Sequence, residues 1–155
     1  MSKNVGLTYR MATKDDLLTY FHWANDEEVR KNSFNTLPIS LTDHTDWFNQ
    51  VIHSDKFLMI LFFKGDIPLG QVRYKLVGEK AWFNYSIDKM FRGQGYSAEI
   101  VAMALQVLFE SNEKIEIVYA EVKPENVASA MVFSKSNFQI DQTSSQKIVF
   151  TFRGR

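Results

Sequence analysis

The sequence predicts an α/β domain, in which helices cover a central β-sheet. Three observations support this fold class. Apolar residues recur with helical spacing over roughly the first third of the chain and then form short strand-like runs. A glycine-rich turn at 92–97 separates a predicted strand from an apolar helix, and two short runs near the C-terminus are typical of an antiparallel pair. The 155 residues contain no repeat or linker-like segment, so we expect one domain spanning 1–155.

The first third of the chain is predicted to be helical. Thr13-Lys14-Asp15-Asp16 matches a capping box, in which a hydroxyl is followed three residues later by a carboxylate, and the helix it starts should end near Asn25. A second short helix is predicted at 27–31, followed by a loop at 32–38. Ser40-Leu41-Thr42-Asp43 is a further capping signal. The apolar residues of the helix that follows are Trp47, Phe48, Val51 and Ile52.

Strands are predicted in the middle of the chain, where the hydrophobic pattern changes period. A compact apolar run at 57–63 is followed by a tight hairpin turn at 64–66. The next strand covers 67–77, and Gly70 within it indicates a bulge or a close approach of another backbone. A turn at Gly78-Glu79 leads into a strand at 81–87.

The C-terminal half is predicted to alternate between helices and strands. The helix at about 97–109 has a wide apolar stripe, so it should be largely buried. A strand rich in β-branched residues follows at 115–122. We expect a helix at 127–135 with Asn137 as its C-terminal cap, and closing strands at 138–140 and 148–152. The predicted apolar stripe of the long helix is Ala98, Val101, Ala102, Leu105, Leu108 and Phe109, and its polar face is Glu99, Gln106 and Glu110.

The composition excludes several classes of function. Eighteen basic residues balance eighteen acidic ones, so no net field favours nucleic acid or an anionic membrane surface. Without cysteine there is no disulfide, no cysteine zinc site and no thiol nucleophile. Three scattered histidines give little support to a metal site, and none is predicted. The first ten residues lack a signal-peptide core and no apolar run could span a bilayer, so we expect a cytoplasmic protein without a membrane partner.

The turn Arg92-Gly93-Gln94-Gly95-Tyr96-Ser97 has the chemistry of a phosphate site. A glycine turn that leads into a helix leaves several backbone N–H groups unpaired and pointing the same way. The positive end of the helix dipole adds to their attraction for an anion. Gly93 and Gly95 permit unusual backbone dihedrals and a close approach of the ligand. From these residues alone, an ordinary loop before a core helix stays an equal alternative.

The turn and the order of the elements resemble the GNAT N-acetyltransferase superfamily. That superfamily has a Gln/Arg-x-x-Gly-x-Gly/Ala turn, matched here by Arg92-x-x-Gly95-x-Ser97 with Ser97 as a departure. It also has an Asn after the next strand and a helix ending in a Gly-Phe-like pair, matched by Asn126-x-x-Ser129 and Asn137-Phe138. The resemblance implies the GNAT fold: a mixed sheet of six to seven strands with two splayed parallel strands, flanked by about four helices.

The resemblance also implies acetyl-CoA as the acetyl donor and a set of residues that binds it. Pantetheine would pair with the strand backbone at Ile87, whose amide region would also supply the oxyanion donor. Asn126 would bind the pantetheine arm. The amides that would hold the pyrophosphate belong to Arg92, Gly93, Gln94, Gly95, Tyr96, Ser97 and Ala98.

Motifs in the N-terminal half resemble the branch that acetylates nucleotide-linked deoxyaminosugars, including enzymes of pseudaminic acid synthesis. The resemblance implies a small-molecule amine as substrate, bound by Arg30, His44 and Trp23. Two alternatives stay open: a peptide N-terminal acetyltransferase, from a branch that shares part of these motifs, and a non-catalytic acyl-CoA-binding module. The motifs are Arg10-x-Ala12-Thr13-x-x-Asp16, Trp23-Ala24-Asn25-Asp26, Val29-Arg30, Asn32-Ser33 and His44-x-x-Trp47-Phe48.

Each candidate substrate residue also has a simpler interpretation. Arg30 could grip a diphosphate through two parallel hydrogen bonds, or be a solvated charge at a helix end. His44 could act as a base or a phosphate partner, or lie on the surface as His22 and His53 are expected to do. Trp23 could stack on a base, but its helical spacing favours packing, as does that of Trp47.

The catalytic residues are predicted to be Glu121 and Tyr85. The resemblance places a base at Glu121, which would have a raised pKa if partly buried between strands; alternatively it pairs with a cation such as Lys123. Trp82 occupies the position of another glutamate common in the superfamily. Its usual acid for the leaving thiolate is a Tyr seven residues after the Asn, here Phe133. Tyr85 is a candidate substitute that could equally be core; the other candidates are Tyr96 and Ser134. The closing strands could also pair between subunits in a homodimer.

Overall fold

The computed structural model describes residues 6–154, and its centre is one mixed sheet. The strand order is β1-β2-β3-β4-β5-β7-β6, and every neighbouring pair is antiparallel except β4 and β5, which are parallel. This confirms the predicted mixed α/β fold. The strands are β1 (Leu7–Met11), β2 (Phe57–Lys64), β3 (Ile67–Val77), β4 (Lys80–Ile87), β5 (Ile117–Val122), β6 (Gln139–Thr143) and β7 (Ile148–Arg153).

Five α-helices lie within residues 6–154, which matches the five predicted from the sequence pattern and is one more than the four or so that the family resemblance implies. Short 3-10 turns precede α1 and follow β4, at Lys14–Asp16 and Lys89–Phe91. Asn137 adopts φ 71° just beyond the last helix, as expected of a residue that ends a helix. The helices are α1 (Leu17–Ala24), α2 (Glu27–Asn32), α3 (Leu41–Ile52), α4 (Tyr96–Ser111) and α5 (Val127–Lys135).

The helices cover both faces of the sheet. α4 and α5 pack on one face in the larger apolar cluster, which includes Ile100, Leu108 and Phe133. α1 and α3 cover the other face through Tyr20, Trp23 and Phe48, which pack against Met59 and Leu61 of β2. Alternate residues of each strand therefore serve different layers.

The buried stripe of α4 differs in part from the prediction. Val101, Leu105 and Leu108 are buried as expected. Ala98 and Ala102 are exposed, because the stripe that packs on the sheet includes Ile100, Ala104 and Val107 instead. Because alanine occurs on both the buried and the exposed sides of helices, Ala98 and Ala102 gave little information about which face of α4 is buried.

Gly70 lies where two backbones approach closely. A Cβ there would lie 2.6 Å from the Ser86 carbonyl oxygen of the neighbouring strand. The pairing of β2 with β3 also shifts register between Phe62 and Phe63, opposite this glycine. Both predicted meanings of Gly70, bulge and close approach, are confirmed.

The predicted capping box is present in the 3-10 turn that leads into α1, and its buried Asp16 forms an ion pair with the half-exposed Arg10. The Asp16 carboxylate accepts the Thr13 amide at 2.8 Å and two hydrogen bonds from the Arg10 guanidinium at 2.8 and 2.9 Å. Burial acts to raise the pKa of Asp16, but the bonds from Arg10 and Thr13 outweigh it, so the pKa lies below its usual value. The ionised carboxylate therefore ties β1 to the first helix.

We expect Asp16→Asn to remove a pH-dependent part of the stability. Because the folded pKa is depressed, the contribution of Asp16 is fully present above its unfolded pKa and disappears as the pH falls through the folded pKa. The difference in free energy of unfolding between wild type and Asp16→Asn should shrink between pH 7 and pH ~3, measured by urea denaturation. Asp15→Asn, at an exposed neighbour, is the control. A pH-independent difference would contradict the assignment.

Candidate active site

The parallel strands β4 and β5 separate after three residue pairs. They pair only at Lys80–Ile117, Ala81–Val118 and Trp82–Tyr119. The Asp88 amide donates to the Leu69 carbonyl across the β3–β4 ladder. In an antiparallel ladder, residues that bond to the neighbouring strand alternate with residues that do not. Asp88 bonds to β3, so the N–H and C=O of Ile87 and Tyr85, at the alternate positions before it, point away from β3. They face a gap where β5 does not pair with them.

The glycine turn lies just beyond this gap, before α4. Gly93 and Gly95 have φ angles of 75° and 87°, which favour glycine, and Gly95 is the N-cap of α4. Among residues 6–154, no acceptor is found for the backbone amides of 93–98. The turn thus presents a row of free N–H donors at the positive end of a 16-residue helix.

Arg92 of the turn is engaged with the protein rather than free. Its Nε donates to the Ile87 carbonyl at 3.0 Å, and its Nη2 forms an ion pair with Asp26 at 2.7 Å. Asp26 also caps α2 by accepting the amides of Glu28 and Val29. The arginine side chain therefore fixes the turn against β4 and α2. Contacts with a phosphate, as expected, would be made by the backbone amides of the turn.

Asn126, Ser129 and Tyr85 form a hydrogen-bonded cluster across the gap. The Asn126 side chain caps α5 by accepting the Ser129 amide at 3.2 Å and donates to Ser129 Oγ at 3.1 Å. The Tyr85 hydroxyl lies 2.9 Å from the same Oγ. Burial raises the pKa of Tyr85, although bonds to Ser129 and Ser97 act against the rise, so the phenol stays protonated at neutral pH.

Phe133 is a core residue directly beside this cluster. It is 3% exposed, and the Tyr85 ring packs edge-on against it with centroids 5.8 Å apart. The phenol of Tyr85 thus extends from β4 to Ser129. It lies beside Phe133, the position at which the superfamily resemblance places a tyrosine.

A cavity of about 940 Å³ runs from the gap to the face covered by α1 and α3. Both ends are polar, and its outer part lies beside the loop between α2 and α3. The residues that line it include Tyr20, Trp23, Arg30, His44, Trp47, Gln71, Arg73, Asn84, Tyr85, Ser86, Ile87, Gly93, Ser97, Glu121, Asn126 and Ser129.

His44 and Trp23 line this cavity as buried residues. His44 is 2% exposed, so the expectation of a surface histidine is wrong; α3 packs it against α1, with Nε2 3.0 Å from the Leu17 carbonyl. Burial lowers the pKa of His44, which favours the neutral ring. Trp23 packs in the core as its spacing indicated, and its indole N–H donates to Asp88 at 2.8 Å.

Arg30 organises the loop between α2 and α3. Its guanidinium donates to three carbonyls, those of Ala24 at 2.7 Å, Asn35 at 2.9 Å and Leu37 at 3.0 Å, and to Ser33 Oγ at 3.1 Å. The expectation of a solvated helix-end charge is therefore wrong. Four of the five guanidinium donors are already used, so a bidentate hydrogen-bonded contact with a diphosphate would require the loop to rearrange.

Glu121 is partly buried, as expected, but its ion-pair partner is not the one considered. Its side chain is about one-third exposed, on the face of β5 that carries Tyr119. Its carboxylate pairs with Lys147 at 2.9 Å, not with Lys123, whose ammonium instead donates to the Lys31 carbonyl. The pairing of β7 with β5, which sequence spacing does not reveal, brings Lys147 here.

Sequence reasoning missed four residues of the cavity: Tyr20, Gln71, Arg73 and Ser129. Ser129 was noted only as part of a motif. Arg73 carried a signal, because it is a charged residue in the middle of a strand whose other residues are mostly apolar. Tyr20 and Gln71 carried no such signal. Each stands out only because, within residues 6–154, it has a buried polar atom without a hydrogen-bond partner, which the sequence does not reveal.

Two further searches covered residues 6–154. No helix in this part of the chain is long and apolar enough to cross a membrane. No group of three or more histidine, aspartate or glutamate side chains within it could hold a metal ion.

Comparisons with known proteins identify the fold and the family. A sequence model described as an acetyltransferase (GNAT) domain matches residues 7–139. No curated protein sequence matches the chain significantly. Solved structures do match at full length, including spermidine N-acetyltransferase from Vibrio cholerae in complex with CoA and spermine, with a TM-score of 0.84, 16% identity, and coverage of 96% of this chain and 95% of that one.

Two other solved structures illustrate the breadth of the likeness. Aminoglycoside acetyltransferase AAC(6')-Ib in complex with coenzyme A has a TM-score of 0.80 and 13% identity over 95% of this chain and 94% of that one. A domain from Methanocaldococcus jannaschii has a TM-score of 0.81 and 16% identity over 95% and 97%. At these identities the likeness shows a shared fold.

We expect Arg30→Met to loosen the loop between α2 and α3. Losing the bonds to its carbonyl acceptors should cost about 1–3 kcal/mol of stability and speed amide hydrogen exchange at 33–37. Lys31→Met, at the exposed neighbouring position, is the control and should change neither. Unchanged exchange together with a large rise in acceptor KM would instead show that Arg30 binds substrate.

Proposed function

Because the chain belongs to the GNAT acetyltransferase family and is an N-acetyltransferase, we propose that it transfers acetyl from acetyl-CoA to a primary amine of a small molecule. The observation that carries this proposal is the row of free amides at 93–98 beside the gap between β4 and β5. A pyrophosphate needs several convergent N–H donors, and the turn supplies them without any side chain.

The gap and its cluster suit the rest of the cofactor. The backbone groups of Tyr85 and Ile87 face the gap, where those of Tyr85 would pair with the amides of the pantetheine arm. The Ile87 carbonyl already accepts from Arg92, so its N–H is the free group there. Asn126 keeps one Nδ2 hydrogen for a pantetheine carbonyl while it caps α5.

The residues around the gap have the groups that acetyl transfer needs. Acetyl-CoA supplies, when bound, an activated acetyl thioester. We assign the Ile87 amide as the donor to the negative charge that develops on the carbonyl oxygen. Tyr85, held protonated by burial and bonded to Ser129, would give its proton to the departing sulfur.

The base is less well supported. Glu121 lines the cavity beside the gap, and its proposed role is to accept the amine proton directly or through water. Because the Lys147 ammonium already holds this carboxylate at 2.9 Å, an amine or a water would have to compete with Lys147 for it.

For the acceptor, we retain an amine of a nucleotide-linked deoxyaminosugar as the proposed substrate. In its support, His44 and Trp23 line the cavity at the positions that the resemblance indicates. The bonds that Arg30 makes within its loop argue against a direct role for that residue. Spermine and aminoglycosides, which two structural neighbours contain or act on, and peptide N-termini are the alternatives. Turnover of acetyl-CoA with each acceptor class separates them. A cytoplasmic location and a homodimer stay predictions.

We expect Gly95→Ala to weaken CoA binding about tenfold, because a side chain at φ 87° costs roughly 1–2 kcal/mol and displaces the amide row. Isothermal titration with CoA measures the effect. Gly78→Ala is a matched control: it has a similar φ of 60° and equally open surroundings, but lies in the distant β3–β4 hairpin. It should lose stability and keep the CoA affinity. Equal changes in both variants, or no CoA binding by wild type at millimolar concentration, would overturn the cofactor proposal.

We expect Tyr85→Phe to lower kcat about 100-fold with little change in the Kd for CoA, because it removes only the proton donor. Steady-state kinetics of thiol release with the best acceptor measures this. Tyr119→Phe is the control, since Tyr119 stacks on Trp82 at the paired ends of the two strands. A kcat within about twofold of wild type would remove Tyr85 from the mechanism.

A further inference from the structure

An arginine without a hydrogen-bond partner lies in the acceptor half of the cavity. Arg73 is largely buried on β3, opposite Met59 of β2 and Asn84 of β4. Among residues 6–154 its guanidinium has no ion pair or hydrogen bond; its recorded contact is the face of Trp47, 4.9 Å away. Such a stack contributes about 0.5–2 kcal/mol, less than the cost of burying an unpaired charge.

Two neighbouring side chains in the same cavity also have unused polar atoms. Within residues 6–154, the buried Tyr20 hydroxyl and Gln71 Oε1 have no hydrogen-bond partner. Burial holds the pKa of Tyr20 well above its usual value, and Arg73 is close enough to act against that rise. Tyr20 therefore keeps a proton that it can donate. Buried polar groups are normally paired, so these two buried atoms, beside the unpaired guanidinium of the partly exposed Arg73, point to a ligand in the cavity.

The charges of the cavity wall show which ligand suits these groups. Glu28, Asp43 and Glu121 also line the cavity, but none of them is within ion-pair distance of Arg73. Among residues 6–154 the partly exposed guanidinium of Arg73 is therefore left without a counter-ion. A guanidinium and a phenol, both donors, complement a carboxylate or a phosphate oxygen.

We propose that Arg73 and Tyr20 form a subsite for an anionic group on the amine acceptor, either a phosphate or a carboxylate, which orients the amine toward the gap between β4 and β5. The subsite rests on the proposed acetyltransferase function and narrows its substrates to amines that carry a negative charge. Gln71 Oε1 lies free on the same strand face, where it can accept from a hydroxyl or amine of the same molecule.

The test is anion binding to protein saturated with CoA, which blocks the amides of the glycine turn. Inorganic phosphate, uridine diphosphate and succinate are titrated separately by calorimetry. At least one should bind wild type with a Kd below ~10 mM. Its affinity should fall about tenfold in both Arg73→Met, which removes the charge but keeps a long unbranched side chain, and Tyr20→Phe. Comparing the affinities for inorganic phosphate and uridine diphosphate with the affinity for succinate shows whether the acceptor carries a phosphate or a carboxylate.

Lys75→Met is the matched control, because it removes one positive charge from the same strand and the same face but outside the cavity. It should leave the anion affinity unchanged. Binding of CoA without any of the three anions, or equal anion binding by wild type and Arg73→Met, would overturn the subsite and leave the proposed function intact. Failure of CoA itself to bind in the same titrations would count against the proposed function.

Discussion

The separation of β4 from β5 is the constraint on which the rest of the structure depends. Three residue pairs hold the two parallel strands together, and beyond Trp82 the backbone of β4 faces a gap. A strand with unpaired N–H and C=O groups in the middle of a sheet is costly unless another molecule satisfies them. The gap therefore explains why the free amides, the Tyr85 cluster and the deep end of the cavity all occur at one place.

Two side chains fix the position of this gap by bonding the segments that follow β4 and β5 to α2. Arg92, which follows β4, binds the N-cap residue Asp26 at 2.7 Å. Lys123, which follows β5, donates to the Lys31 carbonyl at the other end of the helix at 2.9 Å. Because α2 is only six residues long, its position depends on these bonds and on its packing rather than on its own helical stability.

The loop beside the cavity is held by similar means. Asn25 exchanges two hydrogen bonds with the Ile39 backbone, at 2.8 and 2.9 Å, and Arg30 binds the carbonyls between them. These polar residues of the N-terminal motifs thus hold the loop at the acceptor end of the cavity. Direct contact with a substrate is left to groups without protein partners, of which Arg73 and Tyr20 are the clearest.

Local signals in the sequence were enough to determine every helix, the strands other than β1, the glycine turn and the caps at Thr13 and Ser40, because each depends on residues within one or two turns of the chain. Contacts between distant segments were decided only by the tertiary structure. Lys147 reaches Glu121 through the β5–β7 pairing, and α3 buries His44 against α1. Arg73 became a candidate only once Trp47 lay over it with no carboxylate in reach, because a missing partner is a property of the folded surroundings and not of the residue.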